Sequence, residues 1–451
     1  MNEKLKVYVG MSGGVDSSLA AALLVEQSYD VTGVYMKNWT ADLPGVKCPW
    51  ADDLADAKRV AVQLGIDFKV FDFENEYKHK VVDYMIDEYK NGRTPNPDIM
   101  CNQEVKFKLF LDAALADGAD MIATGHYARA AHFDNALPIA QSELLRAGQN
   151  EGPGALFYSG SRCSDQAIGK VLSGDELVIS CKTSNSDNAV AKDSGTSSTA
   201  LSEPLQPKFD QAPGPLSDLE RSRSDRAVDE VPKKSGILKM AVDANKDQTY
   251  FLYRVTGKAL GKTLFPIGEF TKSDVRKMAA ERGLTTAAKK DSQGICFVGQ
   301  VGIRDFLSQY VDQQPGDIID KKSGKILGRH DGAIFYTLGQ RHGLDVGGGL
   351  PYYVVGKDMD KNEVYVTTDL NDNTLWKDTV KLSDVHWINE APSEGKYKIR
   401  VRHRAPLISA SISFDGDDVI LKLDNPQRAI APGQSIVIYD GDICLGGGII
   451  I

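Results

Sequence analysis

Lys6-Val7-Tyr8-Val9-Gly10-Met11-Ser12-Gly13-Gly14-Val15-Asp16-Ser17-Ser18 is the stretch whose reading decides the fold. A strand-like run from Lys6 to Val9 ends in glycine, and a helical pattern from Ser17 to Gln27 follows it. Glycines let the backbone approach phosphate oxygens closely. Hydroxyls add donors, and a helix N-terminus presents free N–H groups at the positive end of its dipole. The segment reads as an anion cradle, with a capped turn as the plainer alternative. It lacks the Gly-Lys-Ser/Thr of a Walker loop, so no lysine stands by to hold a γ-phosphate. Asp16 inside such a cradle is costly beside phosphates unless a cation neutralises the pair, which implies Mg²⁺; a helix cap is the other reading.

Outward from this loop, strands at Val31 to Tyr35, Phe68 to Phe73 and Met121 to Thr124 alternate with helical patterns at Ala51 to Leu64, Tyr77 to Tyr89 and Val105 to Ala116. Such alternation predicts an α/β domain with a parallel doubly wound sheet and a ligand crevice at the carboxyl ends of its strands. From 131 to 236 the composition turns to Ser, Asp, Gly and Pro without periodicity, which predicts a poorly ordered insertion. Its 11 basic and 15 acidic residues leave it at −4, so the remainder of the chain, at −5, is not basic without it. The helix–strand pattern resumes at Leu238 and includes a helix from Lys272 to Arg282. Beyond Pro315-Gly316, short strands such as Tyr352 to Val355, Glu363 to Thr367, Tyr397 to Val401, Val419 to Leu423 and Ser435 to Tyr439 predict small β-domains or a barrel. The expected layout is a first domain from 1–130 and 237–300, the 131–236 insertion, a central domain at 301–378 and a C-terminal β-barrel at 379–451.

The 451 residues are 42% hydrophobic and 25% charged, an ordinary globular balance, and no apolar run is long enough to span a bilayer. The first residues carry no secretory pattern, so the expected location is the cytoplasm. A net charge of −9 argues against indiscriminate coating of nucleic acid but leaves room for local basic patches. Six scattered cysteines make neither a disulfide framework nor a CxxC metal pair, so no metal site is expected from them.

Two cysteines lie in unusual company. Cys101 ends Asn96-Pro97-Asp98-Ile99-Met100-Cys101, and Cys296 lies in Lys290-Asp291-Ser292-Gln293-Gly294-Ile295-Cys296. Either alone fits a buried small hydrophobe. Their polar, turn-rich flanks beside lysines suggest exposed thiols with stabilised thiolates.

The cradle resembles the SGGxDS loop of the ATP pyrophosphatases, which cleave ATP between the α and β phosphates. Nearly the whole chain outside 131–236 is similar to the tRNA-specific 2-thiouridylase family, through MSGGVDSS at 11–18, GRTPNPDIMCNQEVKF at 92–107, ATGHYAR at 123–129, NKDQTYFLYR at 245–254, LFPIGEFTKSDVR at 264–276, KDSQGICFVG at 290–299, FYTLGQRHGL at 335–344 and PGQSIVIYDGDICLGGGII at 432–450. The resemblance implies a Rossmann-like ATP pyrophosphatase domain and a tRNA-uridine 2-sulfurtransferase. In such an enzyme ATP adenylates the 2-oxygen of the wobble uridine in the tRNAs for Lys, Glu and Gln. Cys296 then carries a persulfide whose sulfur attacks C2, and Cys101 releases that sulfur through a transient disulfide with Cys296. Asp98 matches the family's acid/base residue, although an Asn-Pro-Asp turn explains it equally from spacing. A sulfur-relay protein or cysteine desulfurase would supply the sulfur.

By the same resemblance Gly10, Met11, Ser12, Gly13, Gly14, Asp16, Ser17, Ser18, Met36 and Gly125 line the ATP site; for Met36 the plainer reading is core. His126, with Gly125 and Arg129, fits the crevice or a packed histidine. For RNA, Lys396, Lys398, Arg400, Arg402 and Arg404 recur at two-residue spacing, which on one strand would place all five on one face. A solvated strand face is the alternative. Lys106, Lys108, Lys246, Asp247, Gln248 and Arg341 are further expected tRNA contacts, with Lys289 and Lys290 beside them. The chain departs from the family in the length of 131–236. Amide-forming ligases of the pyrophosphatase class and an inactive RNA-binding protein on the same scaffold are the competing readings, and neither needs the cysteine pair.

Overall fold

The computed structural model describes residues 4–40, 48–132, 235–290, 302–347 and 349–451. Almost all of the 131–236 segment, with Cys163 and Cys181, and the whole neighbourhood of Cys296 lie outside the described residues.

Strand β1 (Lys6–Gly10) runs parallel to β2 (Asp30–Lys37) on one side and to β4 (Met121–Thr124) on the other, with β3 (Asp67–Asp72) beyond β2. The antiparallel pair β5 (Arg129–His132) and β6 (Gly236–Lys239) comes next, and β7 (Thr263–Leu264) returns to pair in parallel with β4. The order β3-β2-β1-β4-β7 makes the doubly wound sheet that the alternating pattern predicts. Helices cover both faces, so the central strand is apolar on both. Val7 and Val9 pack with Leu19, Leu23 and Val60, while Tyr8 packs with Phe110 and Ile122 on the opposite side.

Two boundaries that bear on the loop and on Cys101 differ from the sequence reading. Helix α1 (Val15–Glu26) begins before Ser17, because the Ser17 and Ser18 hydroxyls both bond the Gly14 carbonyl inside its first turn. The helix expected from Val105 starts at Pro97 instead, where Asn96 caps the Asp98 N–H and proline fits the first helical position. It continues through a π-helical stretch, Cys101–Leu109, into Phe110–Ala116. Inserted π-turns of this kind recur at functional sites because they re-aim side chains.

A four-stranded sheet comes after the first domain, made of β8 (Gly316–Asp320), β9 (Ile326–His330), β10 (Tyr353–Asp358) and β11 (Glu363–Thr367) around Ile318, Val354, Val364 and Val366. Strands β12 (Trp376–Trp387), β13 (Gly395–Arg400), β14 (Ile408–Asp415), β15 (Asp418–Arg428), β16 (Ser435–Asp440) and β17 (Ile443–Ile450) then close, through β12–β17 pairing, into a six-stranded antiparallel barrel filled by Leu382, Ile399, Leu421, Ile436 and Ile438. Because β17 also pairs with β6, the barrel is continuous with the β5–β6 pair that follows the parallel sheet. Arg129 reinforces this junction, donating to the Met240 carbonyl and, at 2.9 Å, to Asp442. Among the described residues no helix is long and apolar enough to cross a membrane.

Candidate active site

The cradle at the end of β1 is pre-shaped by its own hydroxyls. Ser17 Oγ accepts from the Ser12 N–H at 3.2 Å and donates to the Gly14 carbonyl at 3.2 Å; Ser18 Oγ donates to the same carbonyl at 2.8 Å. No side chain caps α1, so its first N–H groups are left for an anion. Two glycines make the loop possible. Gly13, at φ +72°, lies against the Asp53 carbonyl, where any side chain would overlap it. A Cβ on Gly125 would stand 2.6 Å from the Ser17 N–H nitrogen, so the turn after β4 closes tightly on the start of α1. Gly10 lies under Met36 and Phe110, with space for a Cβ only 3.0 Å from the Met36 methyl, which puts Met36 beside the loop.

The positive charge beside Asp16 comes from the protein. Lys272, only 13% exposed, donates to both Asp16 oxygens at 2.8 Å, and the Tyr127 hydroxyl donates to Asp16 Oδ1 at 2.8 Å. Both carboxylate oxygens are therefore engaged where a metal was expected, and no cluster of three His, Cys, Asp or Glu side chains among the described residues could cage an ion. No local pattern marks Lys272 as a partner of the loop, since it lies 256 positions from Asp16. Lys289 is likewise engaged, with Asp53 at 2.7 Å and with Asp56, while Lys290 is exposed.

The helix that begins at Pro97 runs from this loop to the first cysteine. Phe110 stands against Gly10 at one end, and Asp98 and Cys101 sit at the other. Asp98 Oδ1 is buried with no hydrogen-bond partner, an unusual state for a carboxylate oxygen in a folded protein. Cys101 corrects the expectation of an exposed thiolate. It is 1% exposed, and burial raises its thiol above the ordinary range; Lys106 pulls the other way, Asp98 adds to the rise, and a hydrogen bond with Tyr77 opposes it. The turn-like flank is in fact the first turn of a helix, and that turn points Cys101 inward. His126 is the packed histidine: Nδ1 lies 2.8 Å from Thr124 Oγ1, the ring faces Phe107 and Phe265, and burial followed by the Lys106 charge holds it well below the usual imidazole range. Cys48 is half-buried against the Trp39 carbonyl, and Cys444 is buried in β17 with its thiol raised by burial.

The basic stripe is broken at its middle. Strand β13 ends at Arg400, whose guanidinium turns inward to Asp247 at 2.6 Å; the two side chains are 6% and 0% exposed. Asp247 further accepts from the Ala241 N–H and the Thr249 hydroxyl. Asp247 and Arg400 thus form a buried ion pair and are not surface contacts. Lys396, Lys398, Arg402 and Arg404 remain exposed, with Lys398 on Ser409 Oγ and Lys396 3.5 Å from Asp424. Gln248 is tied to Tyr127 through both its backbone and its side chain. Arg341 and Lys108 are exposed, the latter paired with Glu104 at 3.1 Å; Lys106 and Lys246 are half-buried. On the expectation that these exposed cations meet tRNA phosphates, replacing Lys398 or Arg402 by Ala should lower the slope of log affinity for tRNA against log salt by about 1 each. Arg400→Ala should instead cost about 3–5 kcal/mol of stability, because it strands a buried carboxylate; thermal unfolding and salt titrations separate the two.

Residues 5–152 and 226–300 match the family model described as the tRNA methyl transferase HUP domain, 304–368 the tRNA methyl transferase PRC-barrel domain, and 377–450 the Aminomethyltransferase beta-barrel domain. The matched ranges skip 153–225, within the segment read as an insertion. Among curated proteins, the tRNA-specific 2-thiouridylase MnmA of Bacillus mycoides (strain KBAB4) is 38% identical over 454 aligned residues, covering 99% of this chain and 95% of that protein. The protein of the same name from Bacillus thuringiensis (strain Al Hakam) is 39% identical over 451, covering 99% and 94%.

Proposed function

This chain belongs to the tRNA-specific 2-thiouridylase family, and from that premise we propose how it brings about the ATP-dependent 2-thiolation of tRNA. The β1–α1 loop and the N–H groups of α1 receive the ATP phosphates, with Met36 beside the adenine. The substrate is the wobble uridine of the tRNAs for Lys, Glu and Gln. Its O2 attacks the α-phosphorus; the O2–P bond forms, the bond to the β-phosphate oxygen breaks, and pyrophosphate leaves. Lys272 and the α1 dipole neutralise charge that builds on the phosphates. Asp16 bonds Lys272 and Tyr127, so Mg²⁺ accompanying ATP would take this carboxylate only by displacing them, and would supply further charge neutralisation at the phosphates.

Adenylation turns a poor leaving group into AMP. The terminal sulfur of a Cys296 persulfide attacks C2, AMP departs with the former O2, and the base is left joined to Cys296 through S–S. Cys101 gives its proton to Asp98 and attacks the Cys296 sulfur, forming the Cys101–Cys296 disulfide and releasing the 2-thiouridine sulfur. An external thiol reduces the disulfide, and a sulfur-relay protein or cysteine desulfurase reloads Cys296 with sulfane sulfur.

The observation that carries this reading is one helix joining a phosphate cradle at Gly10 to a cysteine beside a buried, unpaired carboxylate oxygen. Nucleoside analysis of tRNA after incubation with the protein, ATP, Mg²⁺ and a persulfide donor tests it. The expected product is 2-thiouridine, only with ATP present. A methylated base that requires S-adenosylmethionine, the reaction suggested by the names of the family models, would overturn it.

A further inference from the structure

The segment leading into the Asp98–Cys101 helix is held from outside its own domain, by the C-terminal barrel. The Thr94 N–H donates to the Pro432 carbonyl at 3.0 Å, and Gln434 Nε2 donates to the Thr94 carbonyl at 2.8 Å. Both backbone polar groups of Thr94 are therefore taken by one turn of the barrel. Its hydroxyl lies 3.1 Å from that of Thr337, so the central domain touches the same residue. The barrel turn is itself fixed to β17, because the Gly433 N–H donates to the Ile450 carbonyl at 2.9 Å and the Ile450 N–H to the Gln434 carbonyl at 2.8 Å.

Gly433 has no room for a side chain. It sits at φ +86°, and a Cβ there would stand 2.7 Å from the Thr94 nitrogen and 3.1 Å from its carbonyl carbon, against backbone that no rotamer change relieves. The chain immediately after Thr94 is stiff. Pro95 and Pro97 fix their own φ and restrict the residues before them, and Asn96 caps the Asp98 N–H at 3.1 Å. A displacement of Thr94 is thus carried along a short rigid connection to Asp98 and Cys101 rather than absorbed.

We propose that Gly433 and Gln434 are positioning residues for the sulfur-release step: the barrel sets where Asp98 and Cys101 stand. The role rests on the thiolation chemistry above. The junction holds the Asp98–Cys101 end of the helix, whereas Phe110 meets Gly10 at its far end beyond the π-helical stretch, so the adenylation half of the reaction should be affected much less. A misplacement of about 1 Å at a reacting group costs on the order of a hundredfold in rate.

The test uses the full chain carrying Gly433→Ala, Gln434→Met or Gln434→Lys, with tRNA, ATP and a persulfide donor. Single-turnover 2-thiouridine formation should slow about ten- to a hundredfold in Gly433→Ala and Gln434→Met. Pyrophosphate release and the KM for tRNA should stay near wild type in both; the thermal midpoint should stay near wild type in Gln434→Met and fall in Gly433→Ala, whose φ and backbone contact strain an alanine, and Gln434→Lys, which keeps an N–H donor, should recover part of the rate. A Gln434→Met variant that thiolates at the wild-type rate overturns the role, as does one whose adenylation and melting temperature fall together with thiolation. If the wild-type protein itself forms no 2-thiouridine, the thiolation reading fails first and takes this role with it.

Discussion

Cys101→Ser enzyme, mixed with ATP, tRNA and a persulfide donor, is expected to release AMP for one turnover while free 2-thiouridine falls about a thousandfold or more. The serine cannot open the S–S bond between the base and Cys296, so tRNA should accumulate as a covalent adduct. On a non-reducing gel that adduct runs as protein linked to RNA, and added dithiol dissolves it. Cys296→Ser should form no adduct at all, yet still release pyrophosphate. The burial of Cys101 adds a pH signature. Its thiol is raised above the ordinary range by burial, so below that value the thiolate fraction grows about tenfold per pH unit. The sulfur-release step should therefore accelerate with rising pH past neutrality, and Asp98→Asn should slow it most at low pH. A Cys101→Ser protein that thiolates normally would remove Cys101 from the reaction.

Lys272→Ala should lower tRNA-dependent pyrophosphate release about a hundredfold, the usual size of a lost preorganised charge at a reacting phosphate. The ion pair it breaks is 13% and 31% exposed, and removing the cation leaves Asp16 facing the phosphates unneutralised. Lys272→Arg keeps the charge with a different reach and should retain part of the rate. Raising Mg²⁺ should restore some activity to Lys272→Ala, since a metal can then take the freed carboxylate. Normal pyrophosphate release from Lys272→Ala would show that the loop does not use this charge.

How much of the fold and site is legible in the chain depends on how far apart the partners lie. Strands β1 to β4 are apolar runs between helical patterns, and local periodicity suffices for them. The barrel is only partly visible: β12 has just Val380 and Leu382 buried along its twelve residues, so its alternation is drowned by polar positions. The five-residue basic stripe assumes one continuous strand. Arg400 instead ends β13 and turns to a carboxylate 153 positions away, which spacing cannot reveal. The same holds for Lys272 and Asp16. Polar neighbours around Cys101 suggest exposure, whereas the Asn96 cap and Pro97 start a helix there and rotate the thiol into the core. The loop glycines stand out because ordinary side chains would not fit the backbone at Gly13 and Gly125.

In the proposed reaction the base oxygen becomes the leaving group of an adenylate. tRNA carrying ¹⁸O at C2 of the wobble uridine, incubated with the protein, ATP, Mg²⁺ and a persulfide donor, tests this through the mass of the AMP released. AMP heavier by one ¹⁸O, in equal amount to the 2-thiouridine formed, is the predicted result. Unlabelled AMP alongside 2-thiouridine would mean that the oxygen leaves by another route, and would contradict it.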